Sequence, residues 1–564
     1  MNLFPQRLLR SPTKNTFFIL LLAVWCTWSL VINAQTSPLP QPKPRLVVGI
    51  VVDQMRYDFL YRFSKKYSKG GFQRLLEDGF SFENCRYSYA PTYTGPGHAS
   101  VFTGTTPAVH GIVGNNWFDK KTGKGMYCTQ DDTARGLGTS SAEGKMSPRN
   151  LRTTTLGDQI RLSDNFRGKS FGISIKDRGA ILPAGGGANA AFWFAAPTGH
   201  FVSSTWYREL GGKLPDWLQK FNAENRAQKW VKDSVWKPLL PISEYTESHA
   251  DLAPWEESFP GHSQPVFPYV LSKAFQGRDY EIIRKTPFGN NLTALAAQAL
   301  IKGESLGKDE WTDFLSVSFS CTDVVGHAHG PYAIETQDTY LRLDRDIERF
   351  LDFLDTEVGK GGYLVFLTAD HGILDVPAFL QNHHLPGGLF DEKKVKDSLR
   401  QFSATRFGSA NLVEHIENLQ VYLNETECQK LRLSRSEVLQ EWSRFLETKG
   451  FVHRAFPWDG TPPFPKPPHL ETYEAGYFPQ RSGDVQMILE PGIMDKEGAK
   501  GTTHGAPWTY DTHVPFLVYG WKIKPGSQSE VMHIEDIAPT LSTLLHIQEP
   551  HGTTGKPQTI QLKP

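Results

Sequence analysis

The chain lacks a net charge: among 564 residues, 60 Lys plus Arg balance 60 Asp plus Glu. Without a basic field nothing argues for binding a nucleic acid duplex, and no acidic tail is present. Cysteine is scarce. There are five, with no Cys-x-x-Cys, which excludes a thiolate zinc knuckle. Beyond the N-terminus no apolar run approaches the roughly 20 residues of a membrane-spanning helix, and no internal repeat is visible. What the chain does have is glycine (50) and proline (38), which implies many loops between short elements. With 39% hydrophobic and 12% aromatic residues, a large core is available.

The first 34 residues have the pattern of a secretory signal peptide. Arg7, Arg10 and Lys14 precede the apolar stretch Phe17 to Ile32, and Ile32-Asn33-Ala34 ends in a small residue suited to cleavage. The protein is therefore expected to be exported, periplasmic or secreted, with no membrane attachment after cleavage. Residues 35–44, polar and rich in proline, read as a linker. Export permits oxidation of the remaining cysteines, and Cys85 and Cys128, which flank a hydroxyl-rich segment, form a candidate disulfide.

Leu46 to Val52 is a continuous apolar, β-branched run, the pattern of a strand buried on both faces, and it ends at Asp53. The shape recurs. Phe171–Ile175 leads into Lys176, Phe314–Phe319 leads through a short turn to Asp323, and Tyr363–Leu367 leads to Asp370. Val514–Tyr519 is a further candidate strand. Leu343, Ile347, Phe350, Leu351 and Leu354 follow helical spacing. Strands alternating with helices predict an α/β fold with a largely parallel central sheet flanked by helices, whose ligands bind beyond the carboxyl ends of the strands. The expected catalytic domain runs over 45–548. Insertions at roughly 195–290 and 375–480 would shape the rim of a site, the second with helices near 390–402 and 434–449. A helix over 534–547 and a polar tail over 549–564 close the chain.

The segment Thr92 to Asn116 crowds hydroxyls together with glycine and proline, which let a backbone follow tight paths and approach a ligand. Thr94 is the candidate nucleophile, with Thr92, Ser100 and Thr103 as alternatives. Potential metal ligands stand elsewhere: Asp53, Asp323-x-x-x-His327, Asp370-His371, and His504 in Gly-Thr-Thr-His-Gly. Carboxylate and imidazole suit zinc, and two metals about 4 Å apart form a device for phosphoryl transfer. Singly each piece is ordinary: an Asp–His pair can be a hydrogen-bonded turn, and Asp53 can cap a helix. Their joint placement beside a hydroxyl-rich segment carries the inference.

This ordered set of residues resembles the alkaline phosphatase superfamily, and within it the phosphate-irrepressible alkaline phosphatases of the PafA type, which use a threonine nucleophile. The resemblance spans essentially the whole mature chain. It implies an alkaline phosphatase-like fold and a two-zinc enzyme that hydrolyses small phosphate monoesters through a phosphothreonine. One Zn2+ would be held by Asp323, His327 and His504, the other by Asp53, Asp370, His371 and the Thr94 oxygen. His513 rivals His504, whose Thr-His-Gly setting favours it. The resemblance also marks Asn115, Lys176 and Arg178 as contacts to the phosphoryl oxygens. By formal charge, two zinc ions are balanced by three aspartates and a Thr94 alkoxide. A monoester dianion then needs about two further positive charges, which Lys176 and Arg178 supply. A diester carries a single negative charge, so the pair separates this reading from a nucleotide phosphodiesterase or pyrophosphatase of the same superfamily. A secreted metal-binding protein without catalysis would lack a ligand or the nucleophile, and none is missing. No Cys/Ser-x-Pro-x-Arg sulfatase signature occurs.

Overall fold

The apolar runs become the middle of an eleven-stranded sheet. The computed structural model describes residues 43–563 except 276, 278, 461–465 and 497; the expected signal peptide and nearly all of the linker lie outside the described residues. The main strands are β1 (Leu46–Val52), β2 (Phe80–Arg86), β3 (Ser170–Ser174), β4 (Ala190–Ala195), β5 (His200–Ser204), β6 (Asp313–Phe319), β7 (Tyr363–Thr368) and β8 (His513–Gly520). They lie in the order β2-β8-β7-β1-β6-β3-β4-β5. The inner five, β7-β1-β6-β3-β4, are parallel, whereas β8 runs antiparallel to β7, β2 to β8, and β5 to β4. The strand expected from Val514 is thus present as β8, outside the parallel set.

Every residue of β1, β6 and β7 is buried, as strands covered on both faces are; β1 is apolar throughout, while β6 also buries Asp313, Ser316 and Ser318 and β7 buries Thr368. Their register decides where chemistry can occur. Val52 pairs with Phe319, Val51 with Thr368, and Ser318 with Ser174. The carboxyl ends are therefore level, and Asp53, Lys176, Asp323 and Asp370 all follow strands that stop at the same edge. Five helices matter for the site: α1 (Thr94–Thr103), α2 (Asp177–Ala184), α3 (Phe288–Gly303), α4 (Cys321–His329) and α5 (Ile334–Leu354). Leu343, Ile347, Phe350, Leu351 and Leu354 form the buried stripe of α5 that their spacing predicted.

The two regions expected as insertions differ. Residues 195–290 supply β5, and their Trp236, Phe259, Tyr269 and Leu271 join the same hydrophobic cluster as β1, so this region widens the main body. Residues 375–480 hold the helices Glu392–Phe407 and Arg435–Glu447, close to where a helical pair was expected. These pack on a separate antiparallel sheet of Val413–Glu417, Gln420–Leu423, Val485–Leu489 and Val452–Pro457, with a core around Leu399, Val421 and Trp442. The C-terminal helix spans Ile537–Leu544 after a 3-10 turn at Ile534–Asp536. The tail is docked: the Thr554 and Gly555 amides donate to Gly104 O at 2.9 and 3.0 Å, and Ile560 is buried.

The candidate disulfide is not formed. Cys85, Cys128, Cys321 and Cys428 are free and buried. Cys85 pairs with Val514 inside the main sheet, while Cys128 sits with Ala99, Trp117 and Leu182 in a separate cluster, so nearness to one segment in sequence does not bring the two thiols together. Among the described residues no helix is long and apolar enough to cross a membrane.

Candidate active site

Thr94 stands at the start of a helix and not on the tight path that its glycines and proline suggest. Thr-Gly-Pro-Gly is the first turn of α1, where proline is tolerated because the amides of that turn have no helical acceptor. Asn115 Oδ1 accepts one of those amides, Gly95 N, at 2.7 Å. A backbone amide can only donate, which fixes Asn115 Oδ1 against α1 and leaves Nδ2 as its free donor. Gly97 lets α1 meet the end of β7: a Cβ there would lie 2.2 Å from Asp370 O.

Two clusters of ligand-type side chains lie beside Thr94. Asp323, His327 and His504 each offer one atom within 4.8 Å of the others, as do Asp53, Asp370 and His371. In the first, His327 Nε2 is 3.1 Å and His504 Nε2 3.6 Å from Asp323 Oδ1. In the second, His371 Nε2 is 3.5 Å from Asp53 Oδ1 and 3.6 Å from Asp370 Oδ2. Asp323 and His327 share a face of α4, one turn apart. The His371 and His504 rings stack with centroids 3.4 Å apart and join the clusters.

The backbone sets the tautomer of all three histidines. His327 Nδ1 lies 2.8 Å from Thr502 O, His371 Nδ1 2.9 Å from Gly372 O, and His504 Nδ1 2.7 Å from Thr92 O. A carbonyl only accepts, so each Nδ1 carries a proton, and in its neutral form each ring turns an Nε2 lone pair toward carboxylate oxygens. Lone pairs facing one another at 3.1–3.6 Å repel unless a cation or proton lies between them. Ligands at the usual zinc distance of about 2.0–2.1 Å stand roughly 3.3 Å apart at the corners of a tetrahedron, within that span. Asp53 Oδ1 is moreover buried without a hydrogen-bond partner, and Asp370 Oδ2 has beside it only His98 Nδ1, which is bonded to Thr94 O at 2.9 Å. The residues fit divalent metal ions.

The electrostatics agree. Burial, reinforced by the Asp370 carboxylate, pushes Asp53 well above the ordinary carboxylate range. Burial also acts to raise Asp323, but His327 and Lys176 outweigh it and hold that carboxyl low. His371 and His98 do the same for Asp370. Burial pulls His371 down, and pulls His504 down further with help from its neighbours His371 and His327, so these two rings stay neutral and able to ligate. His327 is desolvated too, yet Asp323 raises it.

Thr94 Oγ1 is buried, 3.4 Å from His371 Nε2. The alternative hydroxyls are committed elsewhere: Thr92 Oγ1 donates to Ala506 O, Ser100 Oγ pairs with His110 Nε2, and Thr103 Oγ1 donates to Ala99 O. His513 lies at the start of β8, stacked on Tyr57 and bonded to Glu83 O at 3.0 Å, apart from both clusters. Lys176 and Arg178 line a cavity of about 470 Å³ with Tyr127, Trp193, Asp323 and His327. Lys176 does not project freely into it. Its ammonium donates to Asp53 Oδ2 at 2.8 Å and Asp323 Oδ2 at 2.6 Å, bridging the two clusters. Arg178 donates to Tyr127 OH at 3.0 Å.

Three supporting residues escape a reading of the sequence. Gln54, at φ 68°, donates its amide to Asp370 Oδ1 at 3.1 Å and its side chain to Asp323 Oδ1 at 2.7 Å, tying one cluster to the other. His98, one helical turn after Thr94, lies 3.2 Å from Asp370 Oδ2 and 2.9 Å from Ser318 Oγ. Asp511 accepts the Gly505 and Ala506 amides at 2.9 and 2.8 Å and so holds the segment that carries His504. Gln54 and His98 adjoin residues already singled out, which is a usable signal; Asp511 carries none.

Known proteins share this arrangement of sequence and fold. The family "Type I phosphodiesterase / nucleotide pyrophosphatase" matches residues 47–514. Alkaline phosphatase PafA of Elizabethkingia meningoseptica is 45% identical over 92% of this chain and 94% of its own length. A Myroides odoratus protein named calcium-transporting ATPase is 42% identical over 95% of this chain and 97% of its own. The crystal structure of wild-type PafA superposes with a TM-score of 0.87 at 44% identity, covering 92% of this chain and 98% of that one. A PafA variant substituted at a threonine, an asparagine, a lysine and an arginine superposes at 0.86, with 44% identity and the same coverage; its threonine and asparagine are 21 positions apart and its lysine and arginine two. Thr94 to Asn115 and Lys176 to Arg178 have those spacings. By sequence and by fold, the chain belongs to the type I phosphodiesterase / nucleotide pyrophosphatase family of the alkaline phosphatase superfamily, together with the PafA-type alkaline phosphatases.

Proposed function

We propose that this protein is an exported alkaline phosphatase that hydrolyses small phosphate monoesters at a pair of zinc ions, with Thr94 as nucleophile. The observation that carries the proposal is the set of three Nε2 lone pairs turned on buried carboxylates beside the Thr94 hydroxyl. Asp323, His327 and His504 would hold one ion, and Asp53, Asp370, His371 and Thr94 Oγ1 the other. Zinc there supplies Lewis acidity, which lowers the pKa of the Thr94 hydroxyl and neutralises charge on the leaving oxygen.

The remaining work falls to the chain. Thr94 Oγ1 stands at the N-terminus of α1, whose unpaired amides and dipole favour a negative oxygen. Thr94 Oγ1 bonds to phosphorus as the bond to the leaving alcohol breaks; water then cleaves the phosphothreonine and releases phosphate. Asn115 Nδ2, oriented by the Gly95 contact, donates to a phosphoryl oxygen. The Lys176 ammonium, which bonds Asp53 and Asp323 here, would do the same from the cavity wall beside Arg178 once those carboxylates hold cations. The matching residue types and spacings in the substituted PafA variant support these four assignments.

The family's description as phosphodiesterases favours a second reading, a nucleotide phosphodiesterase or pyrophosphatase. Turnover of p-nitrophenyl phosphate against bis-p-nitrophenyl phosphate, with and without a chelator, separates the readings. The expected result is a strong monoester preference lost on chelation and restored by zinc. A diester preference, or activity indifferent to chelation, would overturn the proposal.

A further inference from the structure

One more ligand-type cluster lies outside the active site among the described residues: Glu256, His329 and Glu335, each with a donor atom within 4.8 Å of the others. The three come from separate elements. His329 is the last residue of α4, two positions after His327; Glu335 is in the first turn of α5; Glu256 belongs to the aromatic-rich 195–290 region. Both glutamates are fully buried and His329 nearly so.

His329 Nδ1 lies 3.0 Å from Glu256 Oε2 and 3.9 Å from Glu335 Oε1. These separations bracket the roughly 3.3 Å expected between donors around a shared zinc-sized ion. Glu256 Oε1 and Glu335 Oε2 are buried with no hydrogen-bond partner. His249 does not satisfy the first of them. Its Nδ1 lies 3.0 Å from the Ala250 carbonyl and its Nε2 accepts from Trp255 Nε1 at 3.3 Å, so the Nε2 facing Glu256 Oε1 at 3.4 Å carries a lone pair. Tyr269 OH donates to Glu335 Oε1 and orients that carboxylate, as partners of metal-binding carboxylates do. Two carboxylates, with a single imidazole in contact with both, leave an excess of buried negative charge. Burial accordingly pushes Glu256 up to about 9 and Glu335 up to about 8.

We propose that Glu256, His329 and Glu335 hold a third divalent metal ion, which fastens the C-terminal end of α4 to α5 and to the 195–290 region. An imidazole nitrogen with carboxylate oxygens favours zinc or a similar transition ion over calcium or magnesium, which take all-oxygen cages. The ion is structural: it steadies from behind the helix that presents Asp323 and His327.

The test compares wild type with Glu335→Gln and Glu256→Gln. Glutamine reproduces the shape and hydrogen bonding of a neutral carboxylic acid, so a cluster that merely holds protonated glutamates would tolerate either change. Elemental analysis of the purified full-length proteins should show one transition-metal equivalent per chain fewer in each variant. Their Tm should fall by a few degrees, and p-nitrophenyl phosphate turnover should stay within about twofold of wild type. In crystals of the wild type, which need no variant to fold, anomalous diffraction at the zinc edge should place a peak about 2 Å from His329 Nδ1. Equal metal content in all three proteins, a map without that peak, or calcium or magnesium at the position would overturn the proposal.

Discussion

The two clusters flanking the stacked His371 and His504 rings are built from the same chemistry and differ in their surroundings. Asp53, Asp370 and His371 are wholly buried at the ends of β1 and β7, directly under Thr94. Asp323, His327 and His504 come from a helix and a turn; the His327 side chain is 31% exposed and faces the 470 Å³ cavity. Under the proposed mechanism, strand ends anchored in a parallel sheet would give the Thr94 nucleophile rigid neighbours, and a helix edge beside open space would give the leaving group a way out and the substrate a way in. On that proposal the buried cluster governs activation of Thr94, and the open one governs what can dock against it.

The sharpest way to break this contrast is to remove one ligand from each side. Asp370→Asn should lower p-nitrophenyl phosphate turnover by roughly a thousandfold or more, about 4 kcal/mol in the barrier, with loss of one metal equivalent. His327→Ala, at the exposed rim, should cost less, roughly a hundredfold, and excess zinc should restore part of the activity. Equal and irreversible losses would erase the distinction. Next in size is the cavity wall. Lys176→Ala with Arg178→Ala removes two charge-assisted contacts, each about 1.5–3 kcal/mol, so monoester turnover should fall at least a hundredfold and diester turnover far less. Parallel losses on both substrates would show that the pair does not read phosphate charge. The smallest effect is expected at Gly97→Ala. The added methyl meets the Asp370 carbonyl and must shift α1 or the end of β7, so kcat should drop several-fold to tenfold with KM little changed. An unchanged kcat would mean that the approach of α1 to Asp370 is not needed.

Much of the buried side was legible in the chain. Strands covered on both faces are rich in apolar residues, so β1, β7 and, despite its two serines, β6 stood out, and a carboxylate just past each lies at the sheet's carboxyl edge. The orientation of the histidines was not legible, because Thr502, Gly372 and Thr92 contribute only backbone carbonyls, which leave no mark on residue identity. Gly-Pro-Gly after Thr94 suggests a tight backbone path; it opens a helix because a first turn tolerates proline, and Gly97 is required where that helix meets Asp370. β8 carries the same apolar signal as its parallel neighbours, so its reversed direction was invisible. The 195–290 region hid its membership of the main body because β5 is short and its aromatic residues follow no regular period. Cys85 and Cys128 were near in sequence to one segment, but the sheet and the α1 cluster hold them apart. The Lys176 bridge depends on two aspartates brought together only by strand register.

Thr94→Ala is the measurement on which the mechanism stands or falls. The variant, assayed with p-nitrophenyl phosphate alongside its metal content, should lose turnover by roughly a thousandfold or more while holding as much zinc as the wild type. Wild-type turnover in that variant would contradict the assignment of Thr94 as nucleophile.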